Sequence, residues 1–293
     1  GGLTGGTYAL ATMLRLWGGS RFEAAARIGF LAAFPLLVFC PILLTLDLGQ
    51  RLRFWHMLIN TTPGSVGIAF KYWSPISVGS WVLLLYGLFA LGSFVEALAL
   101  EGRLRSPLGR TIARTLSGRT GRAFNVIGTL LGLFVASYTG VLLMVSNQPI
   151  WSDTWALGGL FLASGLSGSA ALLSWLVWYR GRAEGGVEER LLVADRYFAL
   201  LELVLIVLFL VSLAGPGTLG RVLAGPRTVL WLLVVASLVP PLTGLGRPGI
   251  QVAASRGGTA VAQAVGMPHT AITIGVLAGS FLLRFVVIFS AQF

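Results

Sequence analysis

Few side chains in this sequence can bind a polar ligand or move a proton, and they fall into two groups. The first group lies between apolar runs: Asp47-Leu48-Gly49, then Arg53-Phe54-Trp55-His56, then Ser74-Pro75-Ile76-Ser77-Val78-Gly79-Ser80-Trp81. Tyr138-Thr139-Gly140 joins it, about two turns short of the end of a later apolar run and ahead of Pro149-Ile150-Trp151. The second group, Glu96, Glu202 and Arg284, lies inside apolar runs. An ionisable group in hydrocarbon is costly, so each marks a functional site, a proton relay above all, or a side chain that snorkels or pairs near an interface. Members of the first group also have plain explanations one at a time. Trp55, Trp73, Trp81 and Trp151 suit an interfacial aromatic belt, Arg51 and Arg53 suit headgroup anchors, and Tyr138 suits a hydrogen-bonded core.

The elements that must position these residues are membrane helices. Of 293 residues, 56% are hydrophobic and only 11% charged, and apolar runs of bilayer-crossing length recur. Backbone polar groups in lipid need internal partners, and no alternating ten-residue pattern suggests a barrel, so the expected fold is all-α. The expected spans are 3–17, 28–46, 75–100, 124–146, 154–179, 197–214, 228–245 and 270–291, eight in all. Arg15, Arg21, Arg27, Arg103, Arg105, Arg110, Arg114, Arg119, Arg122, Arg180, Arg182, Arg190, Arg196, Arg247 and Arg256 fall on one side of that topology. Only Arg51, Arg53, Lys71, Arg221 and Arg227 fall on the other. The arginine-rich side is therefore cytoplasmic, and the connections after Leu46, Ser146 and Ala214 face outward. The net charge of +11 is topology rather than a nucleic-acid footprint, although the run from Arg103 to Arg122 also suits anionic lipid headgroups.

Cys40, in Phe39-Cys40-Pro41, supports neither a disulfide nor an iron-sulfur site. His56 and His269 fall near opposite faces, so they cannot share a haem, and no metal or haem is expected in this chain. Gly2-Leu3-Thr4-Gly5-Gly6-Thr7 is echoed by Gly165-Leu166-Ser167-Gly168-Ser169-Ala170 at an offset of 163. Four crossings separate the copies, which implies two four-helix halves, 1–146 and 147–293, in a parallel repeat within one membrane domain. The first span is short, and the outward part of that helix is expected to precede Gly1. A repeat, buried carboxylates and the Pro240-Pro241 break also suit a secondary transporter, the alternative reading from the residues alone.

The run from Asp47 to His56, the Ser-Pro-x-Ser-x-Gly-Ser-Trp segment 74–81, Tyr138-Thr139-Gly140 with Pro149 and Trp151, and the opening Gly2-Leu3-Thr4-Gly5-Gly6 resemble the NrfD/PsrC family, the membrane subunit of polysulfide reductase and its relatives. The resemblance is good over the first four helices and rests mainly on helix count thereafter. It implies a bacterial or archaeal cytoplasmic-membrane subunit that exchanges electrons between menaquinone or ubiquinone and a ferredoxin-like iron-sulfur subunit on the outward face. A molybdopterin or multihaem cytochrome subunit is implied beyond that partner. Tyr138 falls on the family's quinone-binding tyrosine, with Asp47, Arg53, His56, Ser77 and Trp81 as further site candidates, and a family histidine would fall before Gly1. Glu96, Glu202 and Arg284 are then candidates for a proton path accompanying quinone chemistry.

Overall fold

The computed structural model describes residues 1–64, 66–104, 106–181, 186–244 and 269–292. Arg105, Arg182, Arg247 and Arg256 of the inward set, and Leu245 at the expected end of the seventh span, lie outside the described residues. The chain is nearly all-α. Its helices are α1 (Gly2–Trp17), α2 (Glu23–Asp47), α3 (Pro75–Leu100), α4 (Pro107–Thr115), α5 (Gly118–Met144), α6 (Leu157–Tyr179), α7 (Val187–Ser212), α8 (Leu219–Val222), α9 (Pro226–Thr243) and α10 (His269–Ser290). A small antiparallel hairpin, β1 (Ile59–Asn60) and β2 (Gly67–Ile68), stands in the α2–α3 connection with Ile59 opposite Ile68.

Among the described residues, six segments are long and apolar enough to cross a bilayer: Gly19–Asp47, α3, α5, α6, α9 and α10. The other two expected spans fall short for different reasons. α1 has 16 residues, about 24 Å at 1.5 Å per residue against hydrocarbon of about 30 Å. α7 has 26 residues, but every 18-residue stretch within it contains Asp195, Arg196 and Glu202. Its start differs from expectation as well, at Val187 rather than Tyr197. The added inward turns carry Glu188, Glu189 and Arg190, so they read as polar although they continue the helix. Similarly, α5 begins at Gly118 rather than Phe124 and carries Arg119 and Arg122 in its first turns.

α1 is enclosed by α2, α5 and α6, and residues 4–12 are buried on every side. Such close packing requires small residues. A Cβ on Gly5 would strike the Gly132 carbonyl of α5, and one on Gly6 would strike Ser169 of α6. α6 is central in turn, lying against α1, α5, α7 and α10. The matched glycines of the sequence echo face one another: a Cβ built on Gly2 lies 3.2 Å from the Gly165 Cα, and one built on Gly165 lies 2.9 Å from the Gly2 Cα. Four residues on, Ser169 stands over Gly6 and donates to the Leu3 carbonyl at 2.9 Å. Because both contacts advance together, α1 and α6 run in the same direction. Two apolar cores flank this pair. One joins α1, α2, α3 and α5 with the inward parts of α6 and α7, and the other joins α6, α7, α9 and α10 with Ile150 and Trp151.

Candidate functional site

The Ser-Pro start of α3 forms as its residues dictate. Ser74 is the N-cap, its hydroxyl accepting from the Ser77 N–H, and Pro75 fills the first turn, where its missing donor costs nothing. Tyr138, on the outward part of α5, reaches this turn and donates its phenolic proton to the Pro75 carbonyl at 2.8 Å. Its ring rests on Gly79, where a Cβ would collide with the phenol carbons and oxygen. The glycine of the Ser-Pro-x-Ser-x-Gly-Ser-Trp segment is thus the seat of Tyr138. Phe134 stacks on the same ring at 5.8 Å between centroids. The half-buried phenol has one proton, and Pro75 holds it; its oxygen retains accepting capacity. In this geometry it can accept from a hydroxyl ligand, and it can donate to a carbonyl ligand only by leaving Pro75.

The other first-group residues lie at the same end of the molecule but serve different contacts. Ser77 accepts from the Lys71 N–H at 3.0 Å and donates to the Ala69 carbonyl at 3.2 Å, and the Trp81 indole donates to that same carbonyl at 3.2 Å. Both side chains fasten the segment after β2 onto α3. His56 lies 3.2 Å from the Thr61 hydroxyl through Nδ1, with its ring 4.0 Å from that of Trp55. Asp47, Arg53 and His56 are exposed, and no hydrogen bond joins them to Tyr138 among the described residues. Trp151 departs from the belt reading. It is buried in the second core and donates to the Val287 carbonyl of α10 at 2.9 Å.

Below this end, the interior of the first helices is threaded with polar contacts. Gly79, Tyr86 and Ser93 recur every seven residues on the buried face of α3, with Glu96 one turn further in. Thr4 donates to the Ala33 carbonyl at 2.7 Å, which leaves Tyr86 as the donor in the 3.0 Å contact between their hydroxyls. Ser93 donates to Asn125 Oδ1 at 3.2 Å, which makes Tyr8 the donor in its 2.7 Å contact with Ser93. At the inward end Arg15 bridges Glu96, at 2.9 Å, and Glu23, at 2.8 Å, with its guanidinium over the Phe30 ring. Glu96 is therefore buried and paired.

Glu202 and Arg284 lie in the other half. Arg284 of α10 donates to the Phe161 carbonyl at 3.0 Å, the Ser280 carbonyl at 2.7 Å and the Ser164 hydroxyl at 3.2 Å. The guanidinium acts electrostatically on the Glu202 carboxylate of α7. A Cβ on Gly2 would come within 2.8 Å of Arg284 Nη2, so the start of α1 closes over this cluster. Two turns inward of Glu202 on α7, buried Asp195 accepts from Ser167 at 3.3 Å. Sequence reasoning passed over Asp195. The available signal was its spacing, since residues seven apart share a helix face.

These features define a polytopic helical membrane protein with ionisable groups in its interior and a tyrosine seated at the start of α3. The chain belongs to the NrfD family: the family model described as "Polysulphide reductase, NrfD" matches residues 1–237. It is also similar to a selenate reductase subunit of Mesobacillus selenatarsenatis, at 32% identity over 65 residues. That alignment covers 22% of this chain and 15% of the relative. Its long apolar helices and its family membership together make the chain a multi-pass membrane protein of the NrfD family.

Proposed function

We propose that the chain is the quinone-reactive membrane subunit of a multisubunit respiratory oxidoreductase, in a bacterial or archaeal cytoplasmic membrane. In this reading α1 and α7 join the six long segments to make eight spans, arranged as two four-helix halves in a parallel repeat. The mutual contact of Gly2 and Gly165 supports the repeat, because equivalent positions on helices of the same direction meet at a rotation axis along the membrane normal. The quinone headgroup, from menaquinone or ubiquinone, sits at the outward end of the first half beside Tyr138. The observation that carries this is the phenol seated on Gly79 with its oxygen able to accept. A quinol hydroxyl donates to that oxygen. On oxidation two electrons leave for a partner and two protons leave the site.

Electrons pass between the quinone and a ferredoxin-like iron-sulfur subunit on the outward face, with a molybdopterin or multihaem cytochrome subunit beyond it. The exposed Leu52, Val66, Ile68 and Tyr72 in the α2–α3 connection support a partner on that face. Protons follow buried polar groups. In the first half the succession is Glu96, then Ser93 with Tyr8, then Tyr86 with Thr4; in the second it is Asp195, Glu202 and Arg284. The test is purification of the intact assembly in mild detergent, with its subunits identified and its quinone extracted. The expected result is co-purification of an iron-sulfur protein and stoichiometric quinone. A chain recovered alone, free of quinone, that instead catalyses solute uptake in vesicles would contradict the reading and restore the transporter.

A further inference from the structure

At the inward face, three arginines from distant parts of the sequence converge on one pocket. It has a volume of about 260 Å³ and is lined by Ala24, Arg27, Ile28, Glu101, Arg103 and Arg180. Arg27 comes from the first turns of α2, Arg103 from the turn after α3, and Arg180 from the end of α6. The backbone fixes two of the three. After α3 the chain reverses at Gly102, with φ +72°, whose N–H reaches the Ala99 carbonyl at 3.1 Å, while the Arg103 N–H reaches the Leu98 carbonyl at 3.0 Å. This paired closure returns Arg103 to Glu101, with 3.0 Å between Nε and Oε2. α6 ends in a similar turn at Gly181, φ +61°, and leaves Arg180 3.9 Å from the other oxygen of Glu101.

The charges in this corner do not balance. Glu23, Glu96 and Glu101 face Arg15, Arg27, Arg103 and Arg180, so one positive charge is left over. Arg27 is poorly served: its buried Nε lies 3.5 Å from Glu23 without a hydrogen bond. Arg103 and Arg180 keep 60% and 36% of their side chains accessible, so donors remain for an incoming acceptor. Trp178 and Tyr179, exposed beside Arg180, set the depth at the headgroup layer, and exposed Leu100 continues the wall into the hydrocarbon. We propose that this pocket binds the phosphate of an anionic phospholipid of the inner leaflet, tying the inward ends of α2, α3 and α6 together.

The test uses the purified, delipidated chain in detergent. Phosphatidylglycerol, phosphatidylcholine and inorganic phosphate are titrated separately, with binding and thermal unfolding as readouts. The expected result is a clear preference for phosphatidylglycerol, which also raises the unfolding temperature. Arg103→Gln with Arg180→Gln should weaken that binding by about tenfold or more. Glu101→Gln should strengthen it, which a purely structural role for these residues does not predict. Arg114→Gln, on exposed α4, should leave it unchanged. Equal binding of phosphatidylcholine, inorganic phosphate bound as well as the lipid, or phosphatidylglycerol binding that survives the double substitution would each overturn the proposal. The substituted arginines are partly exposed, so the variants can be judged as folded protein.

Discussion

Thr4 on α1 donates to a backbone carbonyl, that of Ala33 on α2, whereas Ser167, its counterpart on α6, donates to the carboxylate of Asp195 on α7. The contrast extends through both halves. At mid-depth the first half links its helices through neutral groups, Tyr8, Ser93, Asn125 and Tyr86, and keeps its charges at the inward end around Arg15. The second half buries Asp195 and Glu202 within its helices and sets the part-buried Arg284 near them. The first half shows that helices of this kind can be joined by neutral hydrogen bonds. Buried charges are expensive, and replacing them by apolar groups is often neutral or stabilising, so packing does not explain those of the second half. The proton path of the proposed function would give them a role. Under the proposed function, quinone chemistry falls at the outward end of the first half and charge handling in the interior of the second.

The largest expected effect is at Arg284. Arg284→Met removes the cation facing Glu202 and should destabilise the detergent-solubilised chain by about 3–5 kcal/mol. Adding Glu202→Gln should restore most of that loss, and unfolding of the single and double variants measures the coupling. If the double variant is as unstable as the single, the two groups are not a charge pair. Next comes the central seam. Gly165→Leu forces α1 and α6 apart and should cost about 1–3 kcal/mol, whereas Gly159→Leu, near only the Leu205 side chain, should be well tolerated. Ser93→Ala interrupts a neutral link, leaving Tyr8 and Asn125 to re-pair, and should cost about 0.5–1.5 kcal/mol. The smallest stability change is predicted for Asp195→Asn, within about 0.5 kcal/mol, because the amide oxygen still accepts from Ser167. Proton uptake coupled to turnover should nonetheless fall in that variant. Unchanged proton coupling would remove Asp195 from the relay and blunt the contrast between halves.

Much of the architecture was legible because apolar length reports directly on the bilayer. α3 runs from Pro75 to Leu100 as read from sequence, since Ser-Pro marks its start and the polar residues after Leu100 mark its end. α7 was misjudged because its inward turns are charged, and a helix that continues beyond the hydrocarbon loses the apolar signal without losing its backbone bonds. That error put Glu202 near a helix end rather than at mid-helix and left Asp195 outside the expected span. Tyr138 stands out in sequence only through a motif, and its seat on Gly79 is not legible there, because spacing along the chain does not reveal which helices touch. The same holds for Tyr8 with Ser93 and Asn125. Ser77 and Trp81 show the converse. Their types suited a ligand site, while the structure gives their donors to the Ala69 carbonyl.

Tyr138 offers the most direct test of the quinone site. Tyr138→Phe keeps the ring on Gly79 and removes only the hydroxyl. In the assembled complex it should still insert and fold. Quinone affinity should fall by roughly two- to tenfold for one lost hydrogen bond, and quinone-linked electron transfer by about 10² if the phenol relays a proton. Electron transfer and quinone affinity both equal to the unsubstituted complex would mean that the hydroxyl serves only the Pro75 carbonyl, and the quinone site would have to be sought elsewhere.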